Sequence, residues 1–215
     1  MMKVFLIGAN GQIGQRLTGL FQKDCTHTLR AMVRKQEQKE ALQAAGTEAV
    51  LADLEGSPED IAKAAEGCDA IVFTAGSGGS TGYDKTLLID LDGAAKAIEA
   101  AKIAGIKRFI MVSALQAHNR GNWNEALKPY YAAKHYADKI LEASGLTYTI
   151  IRPGGLLNDP GTGNIKAAAD LERGSISRDD VAKTVIASLD EPNTYEKAFD
   201  LTAGGTPVSE ALKQL

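Results

Sequence analysis

A tyrosine and a lysine stand four residues apart at Tyr130 and Lys134, in a segment whose composition predicts a helix over 129–143. Side chains at this spacing share one face of a helix, so both can point at one ligand. An ammonium beside a phenol stabilises the phenolate and lowers the pKa of the phenol, which suits a general acid or base. The pair predicts a site of proton transfer. The competing interpretation is a half-buried ring beside a surface lysine, because this spacing is common by chance.

Ser113 follows directly on the apolar segment 108–112, which predicts a strand. A hydroxyl at that position could hydrogen-bond a substrate carbonyl oxygen and steady the negative charge that develops there. The candidate catalytic set is Ser113, Tyr130 and Lys134. Tyr131 has its own neighbour, His135, four residues on, so the choice of Tyr130 rests on the lysine. His118 is a further possible proton donor, although a single loop histidine is more often solvated.

A glycine-rich turn lies between a predicted strand over 2–7 and a predicted helix over 12–22, with the spacing G-x-x-G-x-x-G. The first glycine permits a tight turn, the second lets backbone N–H groups approach a pyrophosphate, and the third allows the helix to pack closely. The helix N-terminus adds unpaired donors and the positive end of its dipole. This context predicts a dinucleotide-binding turn rather than a purely structural one. Its predicted cofactor contacts are Gly8, Asn10, Gly11, Gln12, Ile13 and Gly14.

Two cations follow the second predicted strand, 28–33, at Arg34 and Lys35. An NAD site usually carries an acid near this position, which binds the ribose 2′-hydroxyl. An arginine there can instead form a fork onto a 2′-phosphate. We therefore predict NADP(H) in preference to NAD(H), with NAD(H) as the remaining possibility. Lys35 is better explained as a solvated charge at the start of a helix.

The ends of the other predicted strands complete the expected cofactor site. Asp53 and Leu54 would line the adenine, although Asp53 could equally be a charge ahead of the next helix. Small residues after the fourth strand would let the backbone approach the ribose, and Lys134 could also bind the nicotinamide ribose. The remaining predicted contacts are Thr74, Ala75, Gly76, Ser113, Pro153 and Gly154.

Short apolar segments alternate with helical patterns along the whole chain, which predicts a doubly wound α/β fold. We expect about seven parallel strands with helices on both faces, in a single NAD(P)-binding Rossmann domain over 1–215. Ligands of such sheets bind beyond the carboxyl ends of the strands. The segments 113–128 and 153–178 follow strands without a firm assignment of their own. They are therefore expected to build a small substrate region from loops.

Composition narrows the function further. The chain has 215 residues and a net charge of −3 without a basic block, which argues against a nucleic-acid binder. No apolar run approaches the length of a membrane helix, and the N-terminus does not resemble a signal peptide, so we expect a cytoplasmic protein with no membrane partner. Cys25 and Cys68 are expected to be reduced thiols. The three histidines show no metal-ligand spacing, so we expect no metal site.

Together these motifs resemble the atypical short-chain dehydrogenases/reductases, and in particular the small NAD(P)H-binding group described as epimerase/dehydratase-like. The resemblance extends to segments 144–154 and 177–182 and so covers nearly the whole chain. It implies a Rossmann fold with seven parallel strands and bound NADP(H). One departure concerns the candidate catalytic set. Ser113 and Tyr130 are 17 residues apart, which is longer than the spacing typical of the family and puts their joint action in doubt.

The resemblance does not decide the reaction, so three hypotheses remain. The first is an NADP-dependent oxidoreductase acting on a small carbonyl or conjugated substrate. The second is a redox-sensing or regulatory protein that binds the cofactor without turnover. The third is an epimerase or dehydratase that uses transient oxidation. Only 63 residues follow Arg152, which leaves no separate substrate domain and counts against a large nucleotide-sugar substrate. Oligomeric state stays open.

Overall fold

The computed structural model describes residues 1–24, 26–79 and 81–215. Cys25 lies outside the described residues. The strands are β1 (Lys3–Ile7), β2 (Thr28–Val33), β3 (Glu48–Leu51), β4 (Ala70–Phe73), β5 (Arg108–Val112), β6 (Thr147–Pro153), β7 (Gly155–Leu157), β8 (Asn164–Ala168), β9 (Ser175–Ser177), β10 (Lys197–Ala203) and β11 (Thr206–Pro207). Nine of them form one sheet in the order β11-β8-β10-β6-β5-β4-β1-β2-β3, and β7 pairs with β9.

Helices connect these strands. They are α1 (Gln12–Asp24), α2 (Gln36–Ala44), α3 (Pro58–Ala65), α4 (Tyr83–Lys85), α5 (Gly93–Ile103), α6 (Lys128–Glu142), α7 (Arg178–Asp190) and α8 (Val208–Leu212). A π-helical segment, Thr86–Asp92, joins α4 to α5. Local sequence explains where several begin. Ser57, for example, caps α3 by accepting a hydrogen bond from the backbone N–H of Asp60, and Pro58 occupies the first helical position.

The sheet separates two apolar cores. Alternate residues of each strand face opposite layers, with Leu6 and Ile110 in one core and Phe5 and Phe109 in the other. The first core packs against α1, α7 and α8, and the second against α3, α5 and α6. Burial on both faces explains why the central strands are almost wholly apolar.

The doubly wound parallel fold is confirmed. Seven strands, β10-β6-β5-β4-β1-β2-β3, run parallel in that order. The structure adds short strands that the sequence pattern did not predict, in and after the segment 153–178. Of these, β8 pairs antiparallel with both β10 and β11 at one edge. They are two to five residues long and partly exposed, so they lack a long apolar or alternating pattern.

Within the part of the chain that the structure describes, no helix combines the length and apolar character needed to cross a bilayer.

Gly14 offers a test of how tightly α1 docks on the turn that precedes it. A Cβ atom built there would overlap the carbonyl oxygen of Gly8 and lie 2.8 Å from Cα of Ala9. We expect Gly14→Ala to lower the free energy of unfolding by about 1–3 kcal/mol, measured by urea denaturation, because the backbone must shift to admit the methyl group.

Gly19 is the matched control, since it lies in the same helix and a Cβ atom there would meet nothing within 4 Å. We expect Gly19→Ala to raise the free energy of unfolding by roughly 0.5–1 kcal/mol, through the helix propensity of alanine. Equal stability changes in the two variants would contradict the close packing of the turn.

Candidate functional site

The glycine turn lies between the end of β1 and the start of α1. Gly8 has a φ of 92°, and a Cβ atom there would lie 2.6 Å from the backbone nitrogen of Ala75. Gly11 donates a backbone hydrogen bond of 2.9 Å to the Gly8 carbonyl and closes the turn. Only glycine allows both the backbone conformation and the contact at position 8. The turn therefore offers backbone without side chains at Gly8 and Gly11, next to a helix N-terminus, which fits a pyrophosphate.

The other predicted residues of this turn divide into two groups. Asn10, Gly11 and Gln12 are exposed at its tip. Ile13 is 8% exposed and packs in the apolar core, so only its backbone N–H remains available to a phosphate. The exposed tip and the helix N-terminus form the part of the site that fits the phosphates of a dinucleotide.

Arg34 follows β2 and is exposed. Among residues 1–24, 26–79 and 81–215, it forms no ion pair, whereas its neighbour Lys35 lies 3.4 Å from Glu37. An unpaired guanidinium at the end of β2 is free to meet an anionic group on a ribose.

The expected adenine contacts separate in the structure. Asp53 is exposed and accepts a hydrogen bond of 3.0 Å from the backbone N–H of Glu55. Leu54 is buried, and its Cβ would lie 3.4 Å from a Cβ atom built at Gly93. Asp53 therefore remains available to a ligand, whereas the Leu54 side chain belongs to the core.

The segment after β4 lies against the glycine turn. The Thr74 hydroxyl donates to the carbonyl oxygen of Ile7 at 3.1 Å, and Ala75 touches Gly8. Gly76 is exposed at the same edge of the sheet. The structure thus brings Thr74, Ala75 and Gly76 together with the turn, as the sequence predicts for one cofactor site.

Ser113 stands at the carboxyl end of β5 and is buried. Its backbone N–H donates to the Ile151 carbonyl at 2.7 Å, which holds it beside β6. Its hydroxyl is close enough to the Asp138 carboxylate to favour the charged form of that group. Within the described residues, however, neither Ser113 Oγ nor Asp138 Oδ1 completes a well-formed hydrogen bond. A buried hydroxyl with spare hydrogen-bonding capacity is uncommon and suits a ligand contact.

Lys134 lies one helical turn after Tyr130 on α6 and is 3% exposed. Its Nζ atom is 3.1 Å from Asp90 Oδ1, 3.5 Å from the Val112 carbonyl oxygen and 5.8 Å from the centre of the Tyr130 ring. The contact with Val112 brings Lys134 next to Ser113. Lys134 thus lies between the Tyr130 ring and the residue before Ser113, although 17 residues separate Ser113 from Tyr130 in the sequence.

Asp90 is a member of this site that the motifs did not identify. It is 1% exposed and projects from the π-helical segment toward Lys134. Its second oxygen accepts a hydrogen bond of 3.0 Å from the backbone N–H of Ser77, in the segment after β4. An acid inside the apolar run 87–91 was the available indication in the sequence, since a buried carboxylate requires a partner.

The expected effect of Lys134 on Tyr130 needs correction. Burial raises the pKa of Tyr130 above its ordinary value, and the opposing effect of Lys134 is offset in part by the negative charge of Asp90. For Lys134, burial lowers the pKa, but the negative charge of Asp90 is among the effects that outweigh it, and the net pKa is raised. The lysine therefore stays charged, and Tyr130 is a neutral phenol rather than a ready phenolate.

Arg152 forms ion pairs with two acidic side chains of α6. Its Nε atom is 2.8 Å from Asp138 Oδ2, and its Nη2 atom is 3.5 Å from Glu142 Oε1. Burial raises the pKa of Asp138, and the Arg152 charge opposes this rise. Asp138 and Glu142 follow Lys134 at intervals of four residues, so one face of α6 carries all three charges.

Pro153 and Gly154 lead from β6 into the segment that the sequence predicts as part of the substrate region. The Pro153 carbonyl oxygen accepts a backbone hydrogen bond of 2.9 Å from Leu115, which follows Ser113 in the next loop. A Cβ atom at Gly154 would overlap the Gly174 carbonyl oxygen. Close packing between two backbone segments thus explains this glycine without reference to a ligand.

Tyr131 and His135 belong to an aromatic cluster that Tyr130 borders, with its ring edge-to-face on Tyr131 at 5.9 Å between centres. The Tyr131 ring stacks on Trp123 at 6.1 Å between centres, and its hydroxyl lies 3.4 Å from an Arg173 nitrogen. His135 Nδ1 is 3.0 Å from the Ala117 carbonyl oxygen. These contacts give Tyr131 a packing role and leave Tyr130 as the tyrosine beside Lys134.

A second polar cluster surrounds His118. Its ring nitrogens are 3.7 Å from Asp170 and 3.8 Å from Asp200, and these residues could present three ligand atoms to a cation. The Gln116 side-chain nitrogen donates to both carboxylates, at 3.2 Å to Asp200. Burial raises the pKa of Asp200. The spacing of histidines alone did not reveal this group, because its members are far apart in sequence.

Comparisons with known proteins agree with this geometry. Residues 8–192 match the model of a family described as NAD(P)H-binding. The chain is 82% identical to an uncharacterized sugar epimerase, YhfK, of Bacillus subtilis (strain 168), with both chains covered completely. Its fold matches a candidate NAD-dependent epimerase/dehydratase from Bacillus halodurans with a TM-score of 0.93, 40% identity and complete coverage of both chains.

A reductase is also among the similar structures. ChuY, an anaerobilin reductase from Escherichia coli O157:H7, is 25% identical with a TM-score of 0.82, covering 94% of this chain and 97% of that one. The family match spans the glycine turn, strands β2 to β6 and α6. On this match, together with the fold and the glycine turn, the chain belongs to the NAD(P)H-binding family.

Proposed function

We propose that this protein is an NADP(H)-dependent oxidoreductase that acts on a small carbonyl or conjugated substrate. The observation that carries the proposal is the group formed by Ser113, Tyr130 and Lys134 at the edge of the sheet that holds the glycine turn. It combines a buried hydroxyl with spare hydrogen-bonding capacity, a neutral phenol and a charged ammonium. The likeness to a reductase supports the reaction class.

Each residue has a defined part in this reaction. When bound, the reduced nicotinamide supplies the hydride that forms the new C–H bond. Ser113 donates a hydrogen bond that orients the substrate oxygen and stabilises the charge developing on it. The electron pair of the C=O π bond collects on that oxygen, which takes the Tyr130 hydroxyl proton, and the tyrosine is reprotonated from solvent. Lys134 holds the ribose and the phenol in one place.

The proposed substrate region is built from 113–128 and 153–178, within the single domain 1–215. Beside the paired strands β8 and β10, a cavity of about 390 Å³ is lined in part by Leu171, Arg173 and Gly174 of this region. Its size is within the range of a small-molecule site. A cytoplasmic location and the absence of nucleic-acid and membrane partners complete the proposal.

Transient oxidation by an epimerase or dehydratase is the second candidate. The 82% identity to a protein named as a sugar epimerase favours it. Such a reaction would use the same residues, with the hydride returned to the substrate in the same turnover. Tightly retained cofactor and substrate conversion without net NADPH loss would distinguish it from the reductase.

The proposed NADP(H) preference is tested at Arg34. We expect Arg34→Ala to weaken NADPH binding about tenfold or more while NADH binding changes little, because a charged hydrogen bond to the 2′-phosphate is lost. Isothermal titration calorimetry with both cofactors measures the ratio of dissociation constants.

Lys35→Ala is the matched control for Arg34, since Lys35 is adjacent, equally charged and already near Glu37. We expect it to leave the ratio close to that of the wild type. Wild-type protein that binds NADH as tightly as NADPH, or an Arg34→Ala variant with an unaltered ratio, would refute the preference.

The proton-donating role is tested by Tyr130→Phe. We expect turnover to fall roughly 10²–10⁴-fold, since that is the usual contribution of a general acid, while NADPH still binds. The measurement is NADPH oxidation with a panel of carbonyl, quinone and flavin substrates. Tyr131→Phe, the adjacent tyrosine in the aromatic cluster, should retain most activity.

Undiminished turnover in Tyr130→Phe would remove this residue from proton transfer. Tight NADPH binding by the wild type without oxidation across the panel would argue instead for a regulatory protein.

A further inference from the structure

The contact between Asp90 and Lys134 joins three parts of the site. Both side chains are at most 4% exposed, and the charged atoms are 3.1 Å apart. The other Asp90 oxygen accepts the backbone N–H of Ser77, which belongs to the segment after β4. One carboxylate thus links the proposed cofactor edge, the π-helical segment and the lysine of α6.

The π-helical segment explains how Asp90 reaches this position. Thr86–Asp92 is wider than an α-helix, and such turns are frequent at functional sites. It keeps Ile89 in the apolar core next to Asp90, while Asp92, two residues on, is half exposed and pairs with Lys96. One acid of the segment thus faces the site, and the next one faces the surface.

Among the described residues, four ionisable side chains have the largest effects on the charge of Tyr130. Lys134, Tyr131 and Asp138 act on it from its own helix, and Asp90 acts on it from the π-helical segment. Of these, Lys134 carries the only positive charge. Arg152 already balances Asp138, with its Nε atom 2.8 Å from Asp138 Oδ2. The charge next to Tyr130 consequently depends on whether Asp90 balances Lys134.

We propose that Asp90 is a positioning residue whose carboxylate neutralises Lys134, so that Tyr130 stands beside a closed ion pair and remains a protonated, proton-donating phenol. This inference rests on the proposed function for the use of that proton, but the charge state itself can be measured without substrate. The raised pKa of Tyr130 agrees with it. A site of this kind is prepared for reduction, in which the oxygen of the substrate must gain a proton.

The test measures the ionisation midpoint of Tyr130 in the full-length protein by carbon-13 NMR, with tyrosines labelled at Cζ. The chain has six tyrosines, and the Tyr130 resonance is the one missing from Tyr130→Phe. We expect Asp90→Asn to lower the midpoint by about one pH unit or more, because an unbalanced ammonium then favours the phenolate. The asparagine oxygen can still accept the Ser77 N–H.

Further variants separate charge from structure. Asp90→Glu, which keeps the charge, should restore a midpoint near that of the wild type. The double variant Asp90→Asn/Lys134→Met should do the same, since it removes both charges and leaves a neutral site. Asp92→Asn is the matched control in the same segment and should leave the midpoint unchanged.

Several results would overturn the proposal. A Tyr130 midpoint that is unchanged or higher in Asp90→Asn would do so, as would a double variant that keeps the lowered midpoint. Should Asp90→Asn fail to fold, the comparison moves to Lys134→Met with and without Asp90→Asn. The Tyr130 midpoint must then be lower in the double variant Asp90→Asn/Lys134→Met than in Lys134→Met alone, and equal midpoints would refute the proposal.

The result for the role of Asp90 can be distinguished from the result for the reductase activity. A lowered midpoint in a protein that oxidises no NADPH would support the role of Asp90 and count against the reductase. Normal NADPH oxidation with an unchanged midpoint would overturn the role of Asp90 and leave the reductase standing.

Discussion

The register of the parallel strands is the constraint on which the rest of this structure depends. Ile7 of β1 pairs with Phe73 of β4, Phe73 pairs with Met111 of β5, and Met111 pairs with Ile150 of β6. Because these strands run in the same direction, they end at one edge, and the residues that follow them meet there. The glycine turn, the segment after β4 and Ser113 are neighbours for this reason alone. A shift of one residue would also turn every core side chain to the wrong face.

Buried charged side chains determine the electrostatic environment at this edge of the sheet. One face of α6 carries Lys134 against Asp90 and Asp138 against Arg152. Removing such charges from water is costly, and a buried pair is weak evidence for stability. These two ion pairs have an electrostatic and a geometric effect here. Each pair connects α6 to another element, and the net charge of each pair is near zero. Tyr130 is consequently placed in a low-dielectric site between nearly balanced charges.

The residues at this edge of the sheet are compatible with more than one of the reaction types named for similar proteins. A reductase and an epimerase that works through transient oxidation share the cofactor, the hydride and a proton-transferring group. They differ in whether the hydride returns to the same substrate. The protonated state of Tyr130 favours the direction in which oxygen gains a proton. In the proposed function, the loops that border β8 and β10, rather than the glycine turn, would select the substrate.

The sequence by itself determined the sheet, the glycine turn and the cofactor class. Apolar segments that alternate with helical patterns predict one architecture, a parallel sheet covered by helices on both faces. The motif also predicts Gly8 and Gly14, where close backbone contacts leave no room for a side chain. Only the tertiary structure showed which charged side chains pair with each other in the site. Asp90 lies 44 positions from Lys134, and no local pattern links a carboxylate in an apolar run to a lysine on another helix. The short strands in 153–178 were not predicted for a related reason, because pairing with other segments, and not local periodicity, stabilises them.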